Sequence, residues 1–146
     1  HTYEDKIGAI RAAQAAGLTV CSGGIMGLGE TAEDRIDMAL TLRELGIKSV
    51  PVNMLNPIPG TPFENNSRLT NEDMRRIVAV YRFLLPDASI RLAGGRGLLA
   101  DKGESCFLSG ANAAISGDML TTAGITVRTD LALLEKLGYR AGLCNE

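Results

Sequence analysis

Four polar or reactive side chains sit in or beside short apolar runs: Cys21 in "VCSGG", Ser49 and Asn53 in "SVPVNML", and Arg91 in "IRLAGG". A thiol that closes an apolar run just before Gly23 and Gly24 fits three descriptions. It is the edge of a phosphate loop, an incidental thiol in a buried turn, or the rim of a cofactor site. Cysteine is among the most often buried residues, so an inert Cys21 is the plain alternative. Arg91 between Ile90 and Leu92 needs partners if buried, and an ion pair or a snorkelling side chain would satisfy it. Asn53 can bond local backbone, and Ser49 can face solvent.

The rest of the composition narrows the chemistry. The single histidine is His1, so a Ser–His–Asp or Cys–His centre has no base. Cys21, Cys106 and Cys144 are an odd, widely spaced set without a CxxC pair, which disfavours both a disulfide scaffold and a zinc site and favours a reducing compartment. The glycine stretch from Gly23 to Glu30 lacks GK[ST] and lacks GxGxxG, so it is not a Walker loop and is a poor match to a Rossmann loop. Its glycines still allow close approach of backbone to a ligand, and the helix after it offers free amides.

These residues must be held by alternating helices and strands. Helical periodicity runs over residues 2–16, with Tyr3, Ile7 and Ile10 on one face, over 31–45, with Ile36, Ala39 and Leu40 inward, over 70–85 and over 129–137. Three of these begin with the same [ST]-x-x-[DE] capping pattern: Thr2–Asp5, Thr31–Asp34 and Thr70–Asp73. Short apolar runs at 18–21, 47–55, 89–92 and about 113–116 read as strands, although Pro51 is awkward inside a central one. Residues 56–68 read as a proline-rich loop, and Gly94, Gly95 and Gly97 as a second glycine loop. Such alternation predicts an α/β fold with a parallel sheet, either half of a (β/α)8 barrel or a small doubly wound sheet. In both, function gathers at the C-terminal strand ends.

A net charge of −2, no Trp and few aromatics argue against a nucleic-acid partner, and no apolar run reaches the ~20 residues of a membrane helix. No signal peptide opens the chain, and a first residue of His1 rather than Met suggests truncation or processing.

The segments "HTYEDKIGAIRAAQAAGLTVCSGGIMGLGET", "SVPVNMLNPIPGTP", "IRLAGGRG" and "CFLSGANA", in this order, resemble the C-terminal half of the biotin synthase family of the radical S-adenosylmethionine superfamily. The resemblance covers nearly the whole chain. It implies strands five to eight of a TIM-type barrel in one fragment of 1–146; residues 139–146, beyond the last helical periodicity, read as a frayed tail. It implies insertion of sulfur into dethiobiotin. S-adenosylmethionine is cleaved at a 4Fe–4S cluster whose CxxxCxxC ligands lie outside this chain, and a 2Fe–2S cluster supplies the sulfur.

By position, Cys21 and Arg91 match ligands of the 2Fe–2S cluster. Asn53 matches a dethiobiotin contact, and Ser49 a serine near the arginine. Gly23, Gly24, Ile25, Gly27 and Glu30 match the GxIxGxxE element that meets S-adenosylmethionine. The resemblance further implies a bacterial cytoplasmic homodimer served by a flavodoxin or ferredoxin. Another serine that the family places near the arginine is Ala113 here, and Cys106 and Cys144 match no ligand. The alternatives are a related radical enzyme of the hydrogenase maturase or methylornithine synthase type, and a non-catalytic half-barrel binding module. The fragment alone is expected to be inactive.

Overall fold

The computed structural model of the chain describes residues 1–118 and 124–142. Cys144 and the last part of the expected tail, residues 143–146, lie outside the described residues. The elements run α1 (Tyr3–Ala15), β1 (Gly24–Met26), α2 (Ala32–Glu44), β2 (Ser49–Met54), α3 (Asn71–Leu84), β3 (Ser89–Leu92), α4 (Glu104–Leu108), β4 (Ala113–Ala114) and α5 (Val127–Lys136). A 3-10 turn, Arg96–Leu98, follows β3.

All three predicted capping boxes form. Thr2, Thr31 and Thr70 each accept from the backbone N–H three residues on, and Asp5, Asp34 and Asp73 each accept from the threonine's own N–H. Each box satisfies two amides that the helix leaves unpaired and places an acid at the positive end of the helix. The last helix begins two residues earlier than its periodicity suggests, because Thr126 is the cap and accepts from Thr129 N–H at 3.2 Å.

The four strands form one parallel sheet in the order β1-β2-β3-β4. Strand order follows chain order with no reversal, so the sheet has no switch point of the doubly wound kind and matches half of a (β/α) barrel. The alternation in β2 is regular: Val50, Val52 and Met54 are buried, while Ser49, Pro51 and Asn53 are half-buried on the other face. With Ile90, Leu92 and Met26, the buried set packs against helix residues including Ala39, Val78 and Tyr81. One face of the sheet is therefore covered by helices, and the other carries the polar residues.

Two further expectations are corrected. Ile36 does not face inward; Ala39 and Leu42 are the buried residues of α2. Residues 18–21 are not a regular strand: Cys21 makes only an isolated parallel bridge to Ser49, and β1 begins at Gly24, inside the expected glycine loop. The cause lies across the sheet. Pro51 has no N–H to donate, and a Cβ on the facing Gly23 would run into the Pro51 carbonyl oxygen. Proline and glycine accommodate each other there, and the ladder is interrupted between Cys21 and Gly24. Among the described residues no helix is long and apolar enough to cross a membrane.

Candidate functional site

The strand register brings the residues singled out in the sequence onto the open face of the sheet. Cys21 stands beside Ser49, Pro51 beside Arg91, Arg91 beside Ala113, and Ile25 beside Asn53. Side chains alternate along a strand, so these odd-numbered positions all project to the side away from the helices.

On this face three side chains converge. Arg91 Nη2 donates to Ser49 Oγ at 2.6 Å, and Arg91 Nη1 lies 3.9 Å from Cys21 Sγ. Cys21 is exposed and unpaired with other cysteines, so its thiol is open to a ligand. Among the described residues Arg91 forms no ion pair with a carboxylate; its guanidinium is directed at a hydroxyl and a sulfur. Ala113, beside Arg91 in β4, adds no polar group.

Further along, Asn53 ties β1 and β2 to the turn that follows β3. Its Nδ2 donates to the Gly24 carbonyl at 3.2 Å and its Oδ1 accepts from Gly94 N–H at 2.9 Å. One N–H and one lone pair of the amide remain for another partner. The Gly94–Gly95 turn after β3 requires glycine. Gly95 has φ +82°, and a Cβ on it would collide with the Met54 carbonyl.

The Gly23–Glu30 stretch is part strand and part turn. Gly23 and Gly24 serve close packing within the protein: a Cβ on Gly24 would lie 2.6 Å from Met38 Cε. Gly27 and Gly29, at φ +100° and +108°, make the turn. Ile25 is 48% exposed on the open face. Glu30 folds back: its Oε1 accepts from Gly27 N–H and from Arg35 Nε, each at 2.8 Å. Burial pushes the Glu30 carboxyl up, but the Gly27 amide and the Arg35 guanidinium outweigh it and hold the group below its ordinary value. Glu30 Oε2 is buried without a hydrogen-bond partner. A cavity of about 440 Å³ opens along β1 and is lined by Ile25, Leu28, Glu30 and Arg35 among others.

The sequence reading missed a buried ion pair next to this site. Arg96, in the turn after β3, donates from Nη1 to Asp130 Oδ1 at 2.8 Å and from Nη2 to Asp130 Oδ2 at 2.6 Å. Ser116 Oγ also donates to Asp130, and both charged side chains are buried. Nothing local in "GGRGLL" or "RTDLAL" distinguishes these charges from surface ones.

Cys106 is different from Cys21. It is fully buried in the core, and burial pushes its thiol up to about 11, so it is an inert packing residue. Among the described residues no group of three His, Cys, Asp or Glu converges to hold a metal ion.

The chain is 73% identical over 143 residues to the biotin synthase of Brachyspira hyodysenteriae, covering 98% of this chain and 43% of that protein. It is 61% identical over 139 residues to the biotin synthase of Akkermansia muciniphila, covering 95% and 43% respectively. It is 58% identical over 143 residues to biotin synthase 2 of Corynebacterium diphtheriae, covering 98% and 43%. The chain thus spans less than half the length of these curated relatives. Residues 51–140, from within β2 to beyond α5, match the Biotin and Thiamin Synthesis associated domain and include Asn53, Arg91, Arg96 and Asp130. On this evidence the chain belongs to the Biotin and Thiamin Synthesis associated domain family.

Proposed function

We propose that this chain is the C-terminal portion of a biotin synthase, which inserts sulfur into dethiobiotin by radical S-adenosylmethionine chemistry. The observation that carries the reading is the meeting of Cys21, Arg91 and Ser49 on the open sheet face, with Arg91 3.9 Å from the thiol sulfur. High identity to proteins named biotin synthase supports it.

The residues fit part of a cluster site. Cys21 offers an exposed thiol sulfur, the natural kind of ligand for iron–sulfur iron, and Arg91 lies beside it. Arginine is a poor ligand because its charge must be offset. Ser49 holds one edge of the guanidinium and so orients the other toward the sulfur. In the complete enzyme proposed here, the remaining ligands would come from the part of the polypeptide that this chain does not include. When bound, a 2Fe–2S cluster supplies the sulfur atom, and S-adenosylmethionine with a 4Fe–4S cluster held by that other part supplies hydrogen abstraction.

The chain's own residues then bind and orient. The free N–H and lone pair of Asn53 match the carbonyl and N–H of a ureido group, which dethiobiotin carries. Ile25 offers exposed apolar surface to the adenine of S-adenosylmethionine, on a ledge formed by Gly23, Gly24, Gly27 and Glu30. The complete enzyme works as a homodimer in the bacterial cytoplasm with a flavodoxin or ferredoxin as electron donor, and the fragment alone is inactive.

The test is anaerobic reconstitution of the complete polypeptide. Cys21→Ala is expected to lose most 2Fe–2S absorbance and biotin formation. Normal absorbance and turnover in that variant would refute the assignment. A gene without an in-frame CxxxCxxC ahead of His1 would favour the non-catalytic binding module instead.

A further inference from the structure

Gly27 is gripped at both of its backbone polar groups, in the two peptide units that flank it. Its N–H donates to Glu30 Oε1 at 2.8 Å, and its carbonyl accepts from Asn66 Nδ2 at 2.9 Å. The preceding carbonyl, that of Met26, accepts from Leu55 N–H at 2.9 Å. Glu30 is itself fixed by Arg35, whose carbonyl accepts from the buried Tyr81 hydroxyl at 3.1 Å. Asn66 comes from the loop between β2 and α3, 39 residues along the chain from Gly27, and is half-buried. It is the one side chain from outside the β1–α2 connection that bonds the turn backbone at Gly27 among the described contacts.

The turn needs such a grip. Gly27 and Gly29 both have positive φ, and glycine is free to leave that conformation at little steric cost. A binding ledge that must be ordered by its ligand loses affinity to the ordering entropy, whereas one held in place beforehand does not. We propose that Asn66 is a positioning residue for S-adenosylmethionine, fixing the Gly27 peptide so that Ile25 and its neighbours present a preformed ledge. The inference rests on reading Gly23–Glu30 as that ledge.

The experiment uses the complete, anaerobically reconstituted holoenzyme and equilibrium dialysis of S-adenosylmethionine, with melting temperature and 2Fe–2S absorbance read alongside. Asn66→Asp keeps the size but removes the donated bond, and should weaken affinity about tenfold, from loss of one hydrogen bond and an acceptor left unpaired. Asn66→Gln retains a donor amide and should recover part of that loss, with absorbance and melting temperature near the parent in both. Unchanged affinity in Asn66→Asp, with weakened affinity in Glu30→Gln, overturns the role of Asn66 and leaves the ledge intact. Unchanged affinity in both variants overturns the ledge reading itself. A joint fall of affinity, absorbance and melting temperature in Asn66→Asp and Asn66→Gln alike indicates a general scaffold role and also overturns the proposal.

Discussion

Arg91 donates to Ser49 across two neighbouring strands at 2.6 Å, and this bond sets which edge of the guanidinium faces Cys21. A half-buried guanidinium without its acceptor loses a charge-assisted bond worth roughly 1.5–3 kcal/mol. Partial solvent access reduces that figure here to about 1 kcal/mol. Ser49→Ala is therefore expected to lower stability by about 1 kcal/mol, read by urea denaturation. Ser49→Thr, which keeps the hydroxyl, should stay within about 0.5 kcal/mol of the parent. A neutral Ser49→Ala would show that the bond does not order Arg91 in solution.

The described thiols differ enough in environment to be separated by chemistry. Cys21 is exposed, whereas Cys106 is fully buried with its thiol pushed up to about 11 by burial first and by Asp101 second. The thiolate is the reactive form, so in the cluster-free protein iodoacetamide should modify Cys21 well before Cys106, which reacts only after unfolding. Peptide mapping by mass spectrometry reads each site separately. The same shift has a stability consequence. A thiol whose folded value is raised keeps its contribution below the unfolded value of 9.0 and loses it as pH rises toward about 11. Cys106→Ala should therefore show a weaker alkaline loss of stability than the parent.

Glu30 produces the opposite dependence. Its folded value is lowered below 4.5, with burial opposing and the Gly27 and Arg35 bonds prevailing. Such a carboxylate contributes stability that is present above the unfolded value and is lost as pH falls through the folded one. Glu30→Gln should then be less stable than the parent at pH 7, and the gap should close as pH drops below about 4.5. Denaturant midpoints measured across that range check it; a gap independent of pH would mean that the charge on Glu30 contributes nothing.

The parts of this fold written in local sequence were readable, and the parts that depend on distant partners were not. Thr31 and Asp34 announce a helix because both bonds of the box close within three residues. The alternation of Val50, Val52 and Met54 gives β2 its two faces directly. The start of β1 was misplaced because it depends on Pro51, which lies in a different strand and faces Gly23. Asn66 gave no signal because its acceptor is 39 residues away. Cys21 and Arg91, 70 positions apart, could be paired beforehand only through family resemblance.

Arg96 and Asp130 are the most demanding case of a distant partnership. They are 34 residues apart, both buried, and joined by two bonds of 2.8 and 2.6 Å. The pair fastens α5 to the turn after β3, the same turn whose Gly94 N–H is held by Asn53. Arg96 also donates to the Ile115 carbonyl at 3.2 Å, so the guanidinium bonds both sides of the turn-to-helix junction. Removing one partner strands the other charge in the interior, at a cost of roughly 3–5 kcal/mol. Asp130→Ala should accordingly lower the melting temperature by on the order of ten degrees, given about 2–4 °C per kcal/mol for a chain of this size. Replacing both residues with apolar ones, as in Arg96→Met with Asp130→Leu, removes the desolvation penalty together with the attraction and should recover much of the loss. The double-mutant cycle decides the point: additive single costs would mean that the two charges do not interact, and a double variant more stable than Asp130→Ala would confirm that an uncompensated Arg96 is what destabilises the single one.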